Sequence, residues 1–395
     1  MTEPDSHRPR VVVVGAGAFG GWTALALRRR GVPVTLVEAW GAGHARASSG
    51  GETRIIRASY GTRSEYTGMA LHALELWRAH DPRRRLLHET GVLWMLGDDD
   101  SFGRASEQAL RDHGARLDSL PLSDASRRYP QIDFDGVRSV FFERDAGYLL
   151  ARRACEDVVG WLIEGGGEFR LCAVCTPVVV EGDKLQQLRL EDGTSLEADV
   201  FVFACGPWLP SVFPDVVGAS ITSTRQEVLY FGTPAGDGRF TVRELPVWMD
   251  FATGSQSGQI YGVPGAGSSG FKVADDTSGP VMDPTCGERI VSADSVASTR
   301  AFLSLRFPAL AHAPLIGSEV CQYESTPDGH FVVDRHPRAS NIWIVGGGSG
   351  HGFKMGPAVG EMMTSLVLDD AVPNAQFSLS RFTAPPSGGR QAKWS

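Results

Sequence analysis

The stretch VVVVGAGAFGGW, residues 11–22, decides the fold. Four consecutive valines read as a strand buried on both faces, as in parallel sheets whose faces are covered by helices. Gly15, Gly17 and Gly20 follow in G-x-G-x-x-G spacing and open a helix. In that arrangement the first glycine makes the tight turn and the second lets backbone approach a pyrophosphate. The third lets the helix pack on the strand, while the helix N-terminus faces the phosphate charge. A second strand, residues 34–38, ends on Glu38, placed to accept hydrogen bonds from an adenosine ribose. Strand, glycines, helix, strand and acid in this order predict a Rossmann-type dinucleotide site; they do not separate NAD from FAD.

Composition narrows the class. The chain has 395 residues, 42% hydrophobic and 21% charged, which suits a soluble globular enzyme and excludes a disordered chain. A net charge of -8 argues against a nucleic-acid partner. No apolar run approaches the roughly 18 residues of a membrane span, and residues 1–10 lack a signal-peptide core, so a cytoplasmic protein is expected. Six cysteines in a reducing compartment do not suggest a disulfide framework. The pair Cys172 and Cys175 is read as strand residues, and no His/Asp/Glu cluster has metal spacing.

Further along, helices are expected over residues 20–30, 64–80, 152–164 and 357–368. Strands are expected over 172–180, 187–190, 200–204 and 342–345. Residues 214–319, rich in short strands and turns, read as a mainly β layer. The fold class is therefore α/β: a discontinuous Rossmann-type domain (1–85, 140–220, 325–382) and a second α+β, largely antiparallel domain (86–139, 221–324). Residues 1–9 and a tail at 383–395 are expected to fray.

Two further stretches carry chemistry. ASSGGETRIIRASYG, residues 47–61, places Arg54 and Arg57 among Ile55, Ile56 and Tyr60, where partly buried cations need an anionic partner. GGGSGHGFKMGPAVGEMM, residues 346–363, brings backbone N–H groups and a helix start close to something electron-rich.

Taken with FACGPW (203–208), GFKVADD (270–276) and CQYESTPDGHFVVDRHP (321–337), these segments resemble the monomeric sarcosine oxidase and N-methyltryptophan oxidase family, flavoenzymes of the D-amino-acid oxidase superfamily. The resemblance covers about residues 11–368. It implies an FAD-dependent amine oxidase acting on an N-methyl or cyclic secondary amino acid, with oxygen reduced to hydrogen peroxide. The ADP half of FAD would rest on Gly15, Gly17, Ala18, Phe19, Gly20, Glu38 and Ala39, with Val178, Gly206 and Trp208 nearby. Ser48, Ser49, Thr53 and Arg54 would line the pyrophosphate and one flavin face. Gly350, His351, Gly352, Phe353 and Lys354 would pass the pyrimidine edge. Arg57 and Lys354 would clamp the substrate carboxylate, Tyr261 and Tyr323 would line its cavity, and Lys272 would activate oxygen. A lone thiol is ordinarily a buried structural residue; the resemblance instead implies a thioether from Cys321 to FAD, in a monomer. This chain departs from the family at Gly50 and Asp276, where members carry His. Those changes imply a larger pocket with an extra acid, and keep oxidation of sugar-modified (Amadori) amino acids open as a second reading. A flavin dehydrogenase using a non-oxygen acceptor and a flavin-binding protein without turnover are also compatible with the sequence.

Overall fold

The computed structural model describes residues 8–255, 258–265 and 269–382; most of residues 1–9 and the tail from 383 lie outside that set. The chain divides into two compact units, and each is discontinuous.

Of the described residues, the first unit gathers 8–52, 151–223 and 322–382. Its six-stranded sheet runs Val332–His336, Ala339–Gly346, Val200–Phe203, Val11–Val14, Val34–Glu38 and Glu168–Leu171. The four pairs from Ala339–Gly346 onward are parallel, and only the Val332–His336 hairpin is antiparallel. Val11–Val14 is buried throughout and registers Val14 against Val37 on one side and Phe203 on the other. Burial on both faces explains the unbroken valine run. The helix Ala18–Arg29 then packs on the helix Gly356–Leu368, where close approach requires glycine. A Cβ on Gly360 would lie 2.6 Å from the Trp22 carbonyl oxygen, and one on Gly356 would lie 2.5 Å from the Trp22 ring.

The second unit gathers residues 53–150 and 224–321. Its main sheet has eight strands in the order Leu315–Ser325, Thr222–Phe231, Phe271–Asp275, Gly258–Val263, Val247–Ser255, Val92–Leu96, Ser139–Glu143 and Leu117–Leu120. A parallel contact joins Val92–Leu96 to Val247–Ser255, in a sheet otherwise dominated by antiparallel pairs. Side chains alternate between its faces with period two. Trp248, Phe271 and Val273 share one face with Phe302, Leu303 and Phe307 of the helical segment in a buried aromatic core. Gly262 lies on that face because a Cβ there would sit 2.2 Å from the Trp248 ring. The opposite face is thereby left to Lys272, Ala274 and Tyr261.

Two expectations are corrected. Residues 53–85 and 140–150 group with the second unit, because Thr53–Ile56 pairs antiparallel with Gly147–Leu150, which also pairs with Leu87–His88. Residues 172–180 form no strand: the pairing strand is Glu168–Leu171, and only Val174 beyond it makes a bridge, to Leu190. Pro177 lacks the N–H a ladder needs. The region 214–319 is mainly β as expected, and it also holds a fourteen-residue helix, Ala293–Arg306, started by Ser292, whose hydroxyl accepts the Ser295 N–H. Among the described residues no helix is long and apolar enough to cross a membrane, and no His/Cys/Asp/Glu group could hold a metal.

Candidate active site

In the first unit the glycine turn forms as its spacing requires. Gly15 has φ 103°, and a Cβ there would lie 2.4 Å from the Ala204 carbonyl oxygen. A Cβ on Gly20 would meet the Gly15 carbonyl oxygen at 1.9 Å, whereas one on Gly17 would meet only the Ser49 side chain. The helix that follows has no acidic residue in its first turn, and Ser49 Oγ accepts the Ala18 N–H at 3.1 Å. A diphosphate fits such a helix start, since the helix dipole favours an anion and the first turn carries no acidic residue. Glu38 is fixed at the end of the neighbouring strand by N–H donors from Ala16 (2.8 Å) and Trp40 (3.0 Å), with Ala39 half-buried beside it. Phe19 is a packing residue, its ring edge-on to Phe331. Gly206 takes φ 51° and starts the short turn that carries Trp208 against Trp40 at 4.8 Å. The Val178 N–H is committed to the Val212 carbonyl, so any backbone contact with an adenine falls to the Val178 carbonyl.

The second glycine loop is buried and tightly built. Gly347 and Gly350 adopt positive φ, as does Ser349 at 48°, a conformation that costs a non-glycine residue about 1–3 kcal/mol and persists only where surroundings enforce it. Ser349 Oγ donates to the Gly347 carbonyl at 2.9 Å and accepts the Thr326 N–H. The Gly352 backbone runs against Gly348 and the Phe19 ring, leaving no room for a side chain. His351 hydrogen-bonds the Gly329 carbonyl through Nε2 and stacks on Phe331 at 4.8 Å. Phe353–Met355 is a single tight turn in which Lys354, buried, donates to the His351 carbonyl at 3.0 Å.

In the second unit, Thr53–Ile56 and the residues after it gather the candidate chemistry. Lys272 is 3% exposed, and its Nζ donates to the Thr53 carbonyl (3.0 Å) and hydroxyl (3.2 Å), 5.7 Å from the Tyr261 ring centre. Tyr261 registers against Ala274, which puts it on the sheet face that bears Lys272. The Asp276 N–H donates to the Gln259 carbonyl, so pairing and alternation continue and Asp276 joins the same side. Arg54 Nη2 donates to Cys321 Sγ at 3.1 Å, while Nη1 donates to the Thr53 carbonyl. Two residues beyond Cys321, Tyr323 lies on the same strand and, by alternation, the same face.

Arg57 is 5% exposed, with its guanidinium 4.6 Å from the Tyr60 ring centre and 5.2 Å from that of Trp94. It also donates to the Ser59 carbonyl. Sequence reasoning missed Glu143, which organises this segment. Its buried carboxylate accepts the Ala58 N–H, the Ser59 hydroxyl (2.5 Å) and the Trp94 indole N–H (3.2 Å). Burial pushes its pKa up, while the three donors and the nearby Arg57 charge oppose that rise. Arg57 is thus held between two rings by a backbone that a carboxylate fixes. Its companion in the expected clamp, Lys354, belongs to the other unit.

One departure from the family reads differently in three dimensions. Gly50 is buried, a Cβ there would lie 1.9 Å from the His44 carbonyl oxygen, and its own carbonyl accepts two hydrogen bonds from Arg152. Its lack of a side chain is a packing requirement of this loop. It does not enlarge a pocket.

A glycine-turn dinucleotide cradle on a largely parallel sheet, with a buried lysine on an antiparallel sheet and a buried arginine just beyond the strand Thr53–Ile56, suits a dinucleotide-dependent oxidoreductase. The sequence pattern of the FAD dependent oxidoreductase family matches residues 10–366, and the chain belongs to that family. It is 30% identical over 368 residues to a monomeric sarcosine oxidase of Arthrobacter sp., covering 91% of this chain and 92% of that protein. It is 24% identical to an N-methyl-L-tryptophan oxidase of Yersinia pestis, covering 94% and 99%. The crystal structure of an L-proline dehydrogenase from P. horikoshii shares the fold, with a TM-score of 0.82 at 19% identity over 95% of this chain and 98% of that one.

Proposed function

We propose that this protein is an FAD-dependent oxidase of N-methyl or cyclic secondary amino acids. The observation that carries the reading is the buried Lys272 ammonium, held on Thr53 in the second unit of a flavin-dependent oxidoreductase. FAD, when bound, supplies the two-electron chemistry that removes electrons from the C–N bond and returns them to oxygen. The amino acid loses two electrons and two protons to become an imine, which water hydrolyses, and oxygen takes both as hydrogen peroxide.

The chain's own residues position and polarise. Gly15, Gly17, Ala18, Gly20, Glu38, Ser48, Ser49, Val178, Gly206 and Trp208 hold the dinucleotide, and residues 350–354 the pyrimidine edge. Arg57 presents a planar guanidinium suited to a bidentate carboxylate contact, and Lys354 adds a point charge for the same anion. Orientation of the carboxylate fixes the reacting carbon. Tyr261, Tyr323 and Asp276 bound the rest of the substrate. Lys272 offsets the negative charge that grows on oxygen as it is reduced. A cytoplasmic monomer is part of the proposal, its oligomeric state supported by similarity to an oxidase described as monomeric.

Cys321 is the proposed point of covalent attachment, through a thioether to a methyl carbon on the dimethylbenzene edge of FAD. The attacking atom is the sulfur, to which Arg54 Nη2 donates a hydrogen bond at 3.1 Å. The two electrons and two protons released on forming the bond leave with oxygen as hydrogen peroxide. Acid-precipitated wild-type protein is expected to stay yellow, with a mass one FAD above the chain. Cys321→Ser should release all its flavin into the acid supernatant. Free FAD from the wild type would remove the covalent assignment while leaving the oxidase reading in place.

The reaction itself is tested by oxygen consumption and peroxide release with sarcosine, N-methyl amino acids, L-proline and fructosyl amino acids. Turnover is expected with members of the first three groups, one peroxide per oxygen consumed. Turnover confined to fructosyl amino acids would replace the proposed substrate class.

A further inference from the structure

The first unit contains a buried carboxyl that none of the roles above uses. Glu324 is 8% exposed, on the strand Leu315–Ser325 three residues beyond Cys321. One carboxyl oxygen accepts the Ser48 hydroxyl at 2.7 Å, and the other accepts the Gly348 N–H at 3.3 Å. The Glu324 carbonyl accepts the Ser349 N–H at 3.0 Å, tying the strand to the second glycine loop. Two glycines are shaped around the side chain. A Cβ on Gly348 would lie 3.0 Å from one carboxyl oxygen, and one on Gly206 would lie 3.4 Å from the other.

One side chain therefore borders three of the segments proposed to hold FAD: the serine segment at 48–49, the turn at 206–208 and the glycine loop at 346–354. Its place along the cofactor follows from its neighbours. Ser48 adjoins Ser49, which bonds the helix start that suits the diphosphate, whereas Gly348 precedes the loop proposed for the ring's pyrimidine edge. Between diphosphate and ring, FAD carries its ribityl chain, whose hydroxyls need partners when buried.

We propose that Glu324, as a neutral carboxylic acid, hydrogen-bonds the ribityl chain of FAD. The inference rests on the flavin reading of this site. A carboxylate beside a diphosphate in a dry cradle would be repelled, whereas the acid form both donates and accepts. Burial independently raises the Glu324 pKa, with the Ser48 and Gly348 donors opposing the rise.

Full-length Cys321→Ser protein, stripped of flavin, allows reversible binding to be read by quenching of FAD fluorescence, with ADP as a probe lacking ribityl and ring. Glu324→Ala in this background is expected to weaken FAD binding at least tenfold and ADP binding less than twofold. Glu324→Gln, which keeps a donor and an acceptor, should stay within about threefold of its parent for both. Three outcomes overturn the proposal: FAD affinity unchanged in Glu324→Ala, equal losses of FAD and ADP, or a Glu324→Gln loss as large as that of Ala. Failure of the parent protein to bind FAD at all would instead strike the flavin reading itself.

Discussion

Lys272→Met slows reoxidation of the reduced flavin by oxygen about a hundredfold to a thousandfold and leaves its reduction by substrate nearly unchanged. Loss of one preorganised electrostatic contact to a developing charge costs about 2.7–4 kcal/mol. Lys272 is proposed as such a contact because it is buried and its ammonium is fixed by two oxygens of Thr53. Methionine keeps the unbranched shape and most of the length of the side chain and removes the charge, so the sheet face it shares with Ala274 and Tyr261 stays largely filled. Stopped-flow measurement of the two half-reactions separates the effects. Equal slowing of both would make Lys272 a substrate-binding or structural residue.

Arg57→Ala weakens carboxylate-bearing substrates and inhibitors by about 2–5 kcal/mol, the usual cost of truncating one partner of a buried charge pair. The guanidinium between Tyr60 and Trp94 is set by Glu143 through Ala58, Ser59 and the Trp94 indole. Its orientation is therefore fixed before any ligand arrives, which lowers the ordering cost of binding. Titration of the flavin spectrum with acetate and other small carboxylates measures the change. Affinities unchanged by the substitution would show that Arg57 serves the fold alone.

Local pattern made much of this architecture legible. The strands Val11–Val14 and Val34–Glu38 and the helix Ser64–His80 fall where valine runs and apolar spacing place them. Lys272 and Tyr261 share a face because two strands alternate in register, a juxtaposition that the resemblance to amine oxidases, which gave them separate roles, did not supply. Residues 53–85 were harder to assign. They follow the first βαβ unit directly, yet the strand Thr53–Ile56 pairs with Gly147–Leu150, and such distant pairing has no local signature. The helix Ala293–Arg306 escaped notice because much of it is exposed and only Phe302, Leu303 and Arg306 are buried, too few to declare a stripe.

The two buried acids were missed for a shared reason. Glu143 ends SVFFE and Glu324 sits in CQYES, where either would ordinarily be taken for a solvent-facing strand residue. The donors that make their burial tolerable come from elsewhere in the chain: Ala58, Ser59 and Trp94 for one, Ser48 and Gly348 for the other. Gly50 shows the converse. Its missing side chain suggested spare room, and the structure fills that room with the His44 backbone.

The central claim is that a secondary amino acid reduces the flavin and oxygen reoxidises it. Anaerobic titration of the yellow protein with N-methyl and cyclic amino acids, followed by admission of air, tests both halves in one cuvette. The expected result is bleaching of the flavin absorbance by at least one of these compounds, then full return of colour within seconds and one equivalent of hydrogen peroxide. A flavin that no secondary amino acid bleaches, or that stays reduced in air until a quinone or protein acceptor is added, would contradict the account.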